Sequence, residues 1–279
     1  MSPSGRPAAE PAADGEQDRQ PDGDGDCWPI EIQLLGGFRL LKAGRPLVGR
    51  TGGKIEALLS ALALSHHHYV PRETLLFRLW PNSEPTLAGQ SLNGLLYSVR
   101  LLLGDQTSGA WPVLSERGGY RLNTEAGISV DVDRFDALAS AGDSHLRQAD
   151  AASAMDLYTS AAHVYRGDLG PTGDAGFEIE RERLRARYLT ILARLADHRF
   201  RAADYAASLD FGLALLRADP CREDAHRLLM RCYVRQGERA QAIRQFRLCE
   251  LVLRSEFEAA PEPATLALLD QIRCHPETV

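Results

Sequence analysis

Residues 72–105 read RETLLFRLWPNSEPTLAGQSLNGLLYSVRLLLGD, and residues 111–122, after a short loop, read WPVLSERGGYRL. Leu75, Leu76, Leu79 and Trp80 form an apolar stripe at helical spacing, and Pro81-Asn82 ends it because proline cannot continue a helix. Leu92, Leu96, Val99 and Leu103 recur at i, i+4, i+7 and i+11, which makes one buried face of a second helix. Asn93, Tyr97 and Arg100 stand opposite that face, with Ser98 beside them. Gly104 is expected to close this helix in a left-handed conformation. Val113-Leu114 and Tyr120-Arg121-Leu122 then flank Glu116-Arg117-Gly118-Gly119, a turn carrying one cation. Helix, turn, helix and hairpin is the layout of a winged helix-turn-helix, which sets one helix in a DNA groove and the hairpin tip on a phosphate strand. An ordinary helical pair with a hairpin has the same pattern, and periodicity does not choose between the two.

Working outward, Ile30–Leu35, Phe38–Leu41 and Pro46–Val48 read as short strands broken by Gly36-Gly37 and Gly44. A helix over about 53–65 buries Ile55, Leu58, Leu59, Leu62 and Ala63. Thr51 is placed to cap it, and Lys54 lies in its first turn. A cation there opposes the helix dipole, which either a phosphate partner or plain solvation accounts for. His66-His67-His68 follows. Three consecutive residues cannot all face one ion from a helix, so dipole stabilisation or a solvated loop is preferred to a metal site. No metal site and no cofactor is assigned.

The charge is unevenly spread. The whole chain of 279 residues has a net charge of −6, with 44% apolar and 25% charged residues, the values of a globular protein. Residues 30–125 carry ten Lys and Arg against seven Asp and Glu, whereas residues 1–29 carry two against seven. The only positive segment therefore contains the helix-turn-helix, in keeping with attraction to phosphate. Residues 1–28 read as a disordered acidic tail without the layout of a signal peptide. No apolar run reaches the roughly 18 residues that cross a membrane. The five cysteines are scattered, as reduced thiols in a cytoplasmic protein are.

Beyond Ile128-Ser129-Val130-Asp131-Val132 the pattern is almost wholly helical, with helices near 133–146, 150–166, 177–199, 201–218, 222–236, 239–256 and 262–273. Ala203, Ala206 and Leu209 recur as Gly237, Ala240 and Ile243, a spacing of 34 and the period of tetratricopeptide helix pairs. Ala149, Ala152 and Met155 look like an earlier copy. A generic bundle in an alanine-rich chain is the competing reading. Arg181–Arg187 (RERLRAR) is interleaved with glutamates and reads as a solvated, salt-bridged face rather than a basic patch.

In order and spacing these stretches resemble the Streptomyces antibiotic regulatory protein family of transcriptional activators, over roughly residues 30–275. GRTGGKIEALLSALAL resembles the first helix of its DNA-binding domain. The 72–105 stretch resembles its second helix, transactivation loop and recognition helix; GGYRL resembles its wing, and VDVDRFDALASAG its entry into the second domain. The resemblance implies a mainly α fold with a small β component: a winged helix of response-regulator output type over 29–126, an all-α tetratricopeptide-like bacterial transcriptional activator domain over 127–275, and a tail over 276–279. It implies an activator of a secondary-metabolite (antibiotic) gene cluster that binds direct repeats of double-stranded DNA as a homodimer, in the cytoplasm and associated with the nucleoid. Candidate DNA contacts are Thr51, Lys54, Arg72, Arg78, Asn93, Tyr97, Ser98, Arg100 and Arg117. Asn82, Glu84, Thr86 and Gln90 are the candidate contacts to RNA polymerase holoenzyme, including its sigma subunit.

One departure stands out. Relatives carry several basic residues where this chain has Tyr97-Ser98-Val99-Arg100-Leu101-Leu102, with Arg100 its one cation. Gly94 also weakens that helix, by about 1 kcal/mol. Asn93 has the groups to read adenine, Arg100 those to read guanine or hold a phosphate. A protein-interaction or ligand-responsive module that binds DNA weakly or not at all is the alternative. No P-loop, GxGxxG, HExxH or GxSxG motif is present, so no enzyme activity is expected. Larger family members append ATPase and further repeat domains, and this chain reads as the short, stand-alone form.

Overall fold

A computed structural model describes residues 28–47, 53–104, 107, 110–170 and 175–279. Thr51, the strand end at Val48 and the acidic tail up to residue 27 lie outside them. The first layer is a small sheet of β1 (Ile30–Gln33), β2 (Arg39–Lys42) and β3 (Arg45–Pro46). Ile30 and Ile32 alternate inward and are 1% and 0% exposed. The sheet is not purely antiparallel, as the local sequence suggests. Strand β7 (Ile128–Val130) arrives from nearly 100 residues later and pairs in parallel with β1, giving the order β3-β2-β1-β7.

Between β3 and β7 lies the helix-turn-helix. Helices α1 (Lys54–Leu64), α2 (Arg72–Leu79) and α3 (Pro85–Leu103) pack their apolar stripes together, with Leu58, Leu62, Leu75, Leu92 and Val99 all fully buried. Trp80 and Leu96, read as core residues, are half-buried at its margin. The hairpin is β5 (Val113–Glu116) and β6 (Gly119–Leu122), in register from Val113 against Leu122 to Glu116 against Gly119. Arg117 and Gly118 form its two-residue turn with φ of 50° and 78°, the doubly left-handed geometry that matches strand twist. A two-residue strand, β4 (Val70–Pro71), joins the outer side of β6.

Gly104 departs from the left-handed ending expected of it. Its φ of −59° and ψ of −33° are right-handed. Its amide donates to the Arg100 carbonyl at 2.7 Å, so the helical hydrogen-bond pattern simply continues through it.

The second layer is seven helices among the described residues: α4 (Asp131–Arg147), α5 (Ala151–Val164), α6 (Ala175–Arg201), α7 (Tyr205–Ala218), α8 (Glu223–Arg235), α9 (Arg239–Phe257) and α10 (Pro263–Cys274). The repeat inferred from spacing is a repeat of turns. Ala149, Ala203 and Gly237, which end α4, α6 and α8, all have positive φ, at 62°, 58° and 79°. In each, the next amide reaches back five residues: Asp150 to His145, Asp204 to Arg199, Glu238 to Tyr233. This is the Schellman closure. Asp150 and Asp204 then cap the following helices by accepting from the Ser153 and Ala207 amides. Paired helices approach closely at small residues. A Cβ on Gly142 of α4 would meet the Tyr158 ring of α5 at 2.6 Å.

The RERLRAR face is salt-bridged, and its partners lie across helices as well as along α6. Arg183 and Arg187 reach Asp136 of α4 at 2.6 and 3.1 Å. Arg181 pairs with Glu178 and also donates to the Leu169 and Gly170 carbonyls.

One continuous core joins the two layers, from Ile30 of β1 to Leu195 of α6. Asp131, 1% exposed, accepts from the Leu34 and Leu35 amides at 2.8 and 3.0 Å. Burial pushes its carboxyl up to about 6, against the pull of those two hydrogen bonds and of Arg166. A separate cluster around Met230, Phe246, Leu268 and Ile272 holds α8, α9 and α10 together.

Candidate nucleic-acid interface

Because α3 buries Leu92, Val99 and Leu103, its opposite face must meet solvent. Asn93, Tyr97 and Arg100 lie on it, one turn apart, with Tyr97 61% and Leu101 65% exposed. A groove of about 580 Å³ separates this face from the hairpin, with Asn93, Tyr97 and Arg100 on one wall and Trp111, Leu114 and Tyr120 on the other. Arg117, its side chain 92% exposed, sits at the hairpin tip 3.6 Å from Glu116. So exposed a pair contributes little and leaves the guanidinium available.

The candidate cations fall into two kinds. Lys54 donates to the Leu79 carbonyl and lies 5.6 Å from the Trp80 ring centre, so it closes the C-terminus of α2. That internal role explains a lysine at an unfavourable helix start without a phosphate. Arg72, half-buried, donates to Gly89 O at 2.9 Å, Asn93 Oδ1 at 3.1 Å and Tyr120 Oη at 2.7 Å. It ties the start of α2 to α3 and to β6. Gly89 makes room for it, since a Cβ there would meet Arg72 Nη2 at 2.9 Å. Arg100 and Arg117, by contrast, are exposed on α3 and at the hairpin tip; Arg78 is exposed in the last turn of α2. Ser98 is half-buried and donates back to the Gly94 carbonyl at 2.9 Å.

The sequence reading missed Trp111. The Arg100 guanidinium lies 3.3 Å from its ring centre, a stacked arrangement that holds the arginine along the groove before any ligand arrives. A tryptophan beside a proline, just ahead of the hairpin's first strand, was the available signal; it proves to be 53% exposed. Nor did the sequence indicate that one Asn93 Oδ1 lone pair is taken by Arg72. Asn93 Nδ2 is left as its outward donor, suited to an acceptor on a base edge.

Asn82 and Glu84 lie in the exposed connection between α2 and α3, with Thr86 and Gln90 exposed on the first turns of α3. Phe77, 73% exposed, and Leu87, 58% exposed, flank that connection in sequence.

Residues 130–273 match the model of the bacterial transcriptional activator domain. The chain is 27% identical over 246 residues to the regulatory protein AfsR of Streptomyces coelicolor, covering 87% of this chain and 24% of that protein. It thus spans about a quarter of that relative's length. A structure of Mycobacterium tuberculosis EmbR in complex with a low affinity phosphopeptide superposes with a TM-score of 0.70 at 22% identity, over 88% of this chain and 65% of that one. That likeness supports the two-layer fold, a winged helix followed by an all-α repeat layer. The family is one of transcriptional regulators and not of enzymes. The chain belongs to the bacterial transcriptional activator domain family, as a regulator of the Streptomyces antibiotic regulatory protein type.

Proposed function

We propose that this protein is a sequence-specific DNA-binding activator of a secondary-metabolite gene cluster. The observation that carries the reading is the solvent face of α3, where Asn93, Tyr97 and the Trp111-stacked Arg100 project beside a hairpin tipped by Arg117. Helix α3 enters the major groove, Arg100 reads guanine or grips phosphate, and Arg117 rests on the flanking strand. Two protomers bind direct repeats head to tail. The exposed stretch of Asn82, Glu84, Thr86 and Gln90 engages RNA polymerase through its sigma subunit, with Phe77 and Leu87 as apolar anchors.

A second reading is a protein-interaction or ligand-responsive module with little DNA affinity. It is favoured by the internal use of Lys54 and Arg72, which thins the set of loose cations. A gel-shift titration of the purified protein on promoter fragments adjoining its own gene, at two salt concentrations and with unrelated competitor DNA, separates the two. The activator reading expects a competitor-resistant shift that weakens with salt. Absence of any shift at low salt favours the interaction module. Arg100→Ala is expected to weaken specific binding by about 1–3 kcal/mol; unchanged affinity removes it from the contact set.

A further inference from the structure

We propose that His66, His67 and Asp133 form a binding site for a zinc-type divalent cation at the junction of the two layers. His66 and His67 follow α1 of the winged helix, and Asp133 lies in the first turn of α4. One ligand atom from each lies within 4.8 Å of the others.

The hydrogen bonding of His66 points to a cation. Its ring is 7% exposed, and Nδ1 lies 2.7 Å from the Ala63 carbonyl. A carbonyl only accepts, so Nδ1 is the donor to it and Nε2 is the nitrogen turned toward Asp133. Nε2 faces Asp133 Oδ2 at 3.1 Å. A proton on Nε2 satisfies that pair alone, whereas a metal ion also uses the third ligand atom beside it, on His67. A backbone carbonyl fixing Nδ1–H while Nε2 binds is the usual support of a metal-ligating histidine.

The rest of the geometry agrees. The His67 ring lies 3.8 Å from that of His66, centre to centre, and is exposed, with its ligand nitrogen already in the cluster. A tetrahedral ion with bonds of about 2.0–2.1 Å holds its ligand atoms roughly 3.3 Å apart, close to the His66–Asp133 separation. Two imidazoles and one carboxylate suit zinc better than magnesium or calcium. A cavity of about 500 Å³ borders His66 and Asp133 and leaves room for water at the open position. The bound ion would fasten the winged helix to the helical layer.

The test uses the untagged full chain, stripped with chelator and titrated with zinc chloride by calorimetry, with cobalt(II) spectra as a second readout. One equivalent of zinc is expected to bind and to raise the thermal midpoint by roughly 5 °C at saturation. His67→Ala, at an exposed position and with an unchanged circular dichroism spectrum expected, should lower affinity at least tenfold, and Asp133→Asn likewise. Cobalt(II) should give ligand-field bands without a thiolate charge-transfer band. Failure of the wild type to bind zinc leaves a proton, not a metal, between His66 and Asp133 and overturns the site. Unchanged binding in His67→Ala, or a thiolate band assigning the metal to cysteine, overturns it equally. Should Asp133→Asn not fold, His67→Ala and the cobalt spectrum decide.

Discussion

Arg72 and Arg117 are both arginines of the winged helix, yet their surroundings give them opposite expected phenotypes. Removing Arg72 leaves the Gly89 carbonyl, Asn93 and Tyr120 without their shared donor. Arg72→Ala should lower stability by about 1–3 kcal/mol in urea titration, with DNA binding lost as a consequence. Arg117→Ala should leave stability unchanged and reduce the slope of log affinity against log salt by about 1. A full-strength salt slope in Arg117→Ala, or an unaltered urea midpoint in Arg72→Ala, contradicts the assignment. Asp143 gives a pH prediction. Burial raises its carboxyl, but hydrogen bonds from Tyr158 and Arg194 and the charges of Arg194 and Arg187 outweigh that and hold it below 3.8. A depressed carboxylate contributes stability above its unfolded value and loses it as pH falls through the folded one. Asp143→Asn should therefore be less stable than the parent at pH 7, and urea midpoints of the two should converge as pH falls below about 4. A gap that persists at low pH assigns the effect to packing instead.

At the scale of elements, the three helix hairpins α4–α5, α6–α7 and α8–α9 share one turn, but only the third has glycine at the left-handed position. An alanine held there costs roughly 1–2 kcal/mol, partly offset by its smaller unfolded-state entropy. Ala203→Gly should thus stabilise the chain by about 0.5–1 kcal/mol, read as a raised urea midpoint. A lowered midpoint would mean that the Ala203 methyl makes contacts worth more than the strain. The spacing of 34 residues was legible because it repeats a backbone necessity, not a side-chain preference. Strand β4 was not legible, since two residues ending in proline have no periodicity of their own. It exists because β6 presents an edge to it.

At the scale of the whole molecule, a division at residues 126/127 falls just before β7, the strand that completes the N-terminal sheet. The transcriptional activator domain match begins at 130, the last residue of β7. A fragment ending at 126 loses the buried Ile128, Val130 and Val132 and leaves the Leu34 and Leu35 amides without Asp131. Its loss is on the order of 5 kcal/mol. Such a fragment should melt far below the full chain by circular dichroism, whereas one ending at residue 201 retains the sheet and most of its core. Equal midpoints for the shorter fragment and the full chain would show the winged helix to be independent.

Sequence alone determined the helices, the hairpin, their order and the two layers, though not strand β4 or the pairing of β7 with β1, because helical period, strand alternation and turn residues are local properties that neighbouring residues suffice to specify. It also placed Asn93, Tyr97 and Arg100 on the outer face of one helix, since that follows from spacing. Which polar side chains are spent inside the fold was decided only in three dimensions. Lys54 meets the Leu79 carbonyl 25 residues away, Arg72 meets Tyr120 48 residues away, and Asp131 meets the Leu34 amide 97 residues away. His66 finds Asp133 across the same junction. A hydrogen bond depends on position to a fraction of an ångström, and such distances between remote residues are set by packing, on which local pattern is silent.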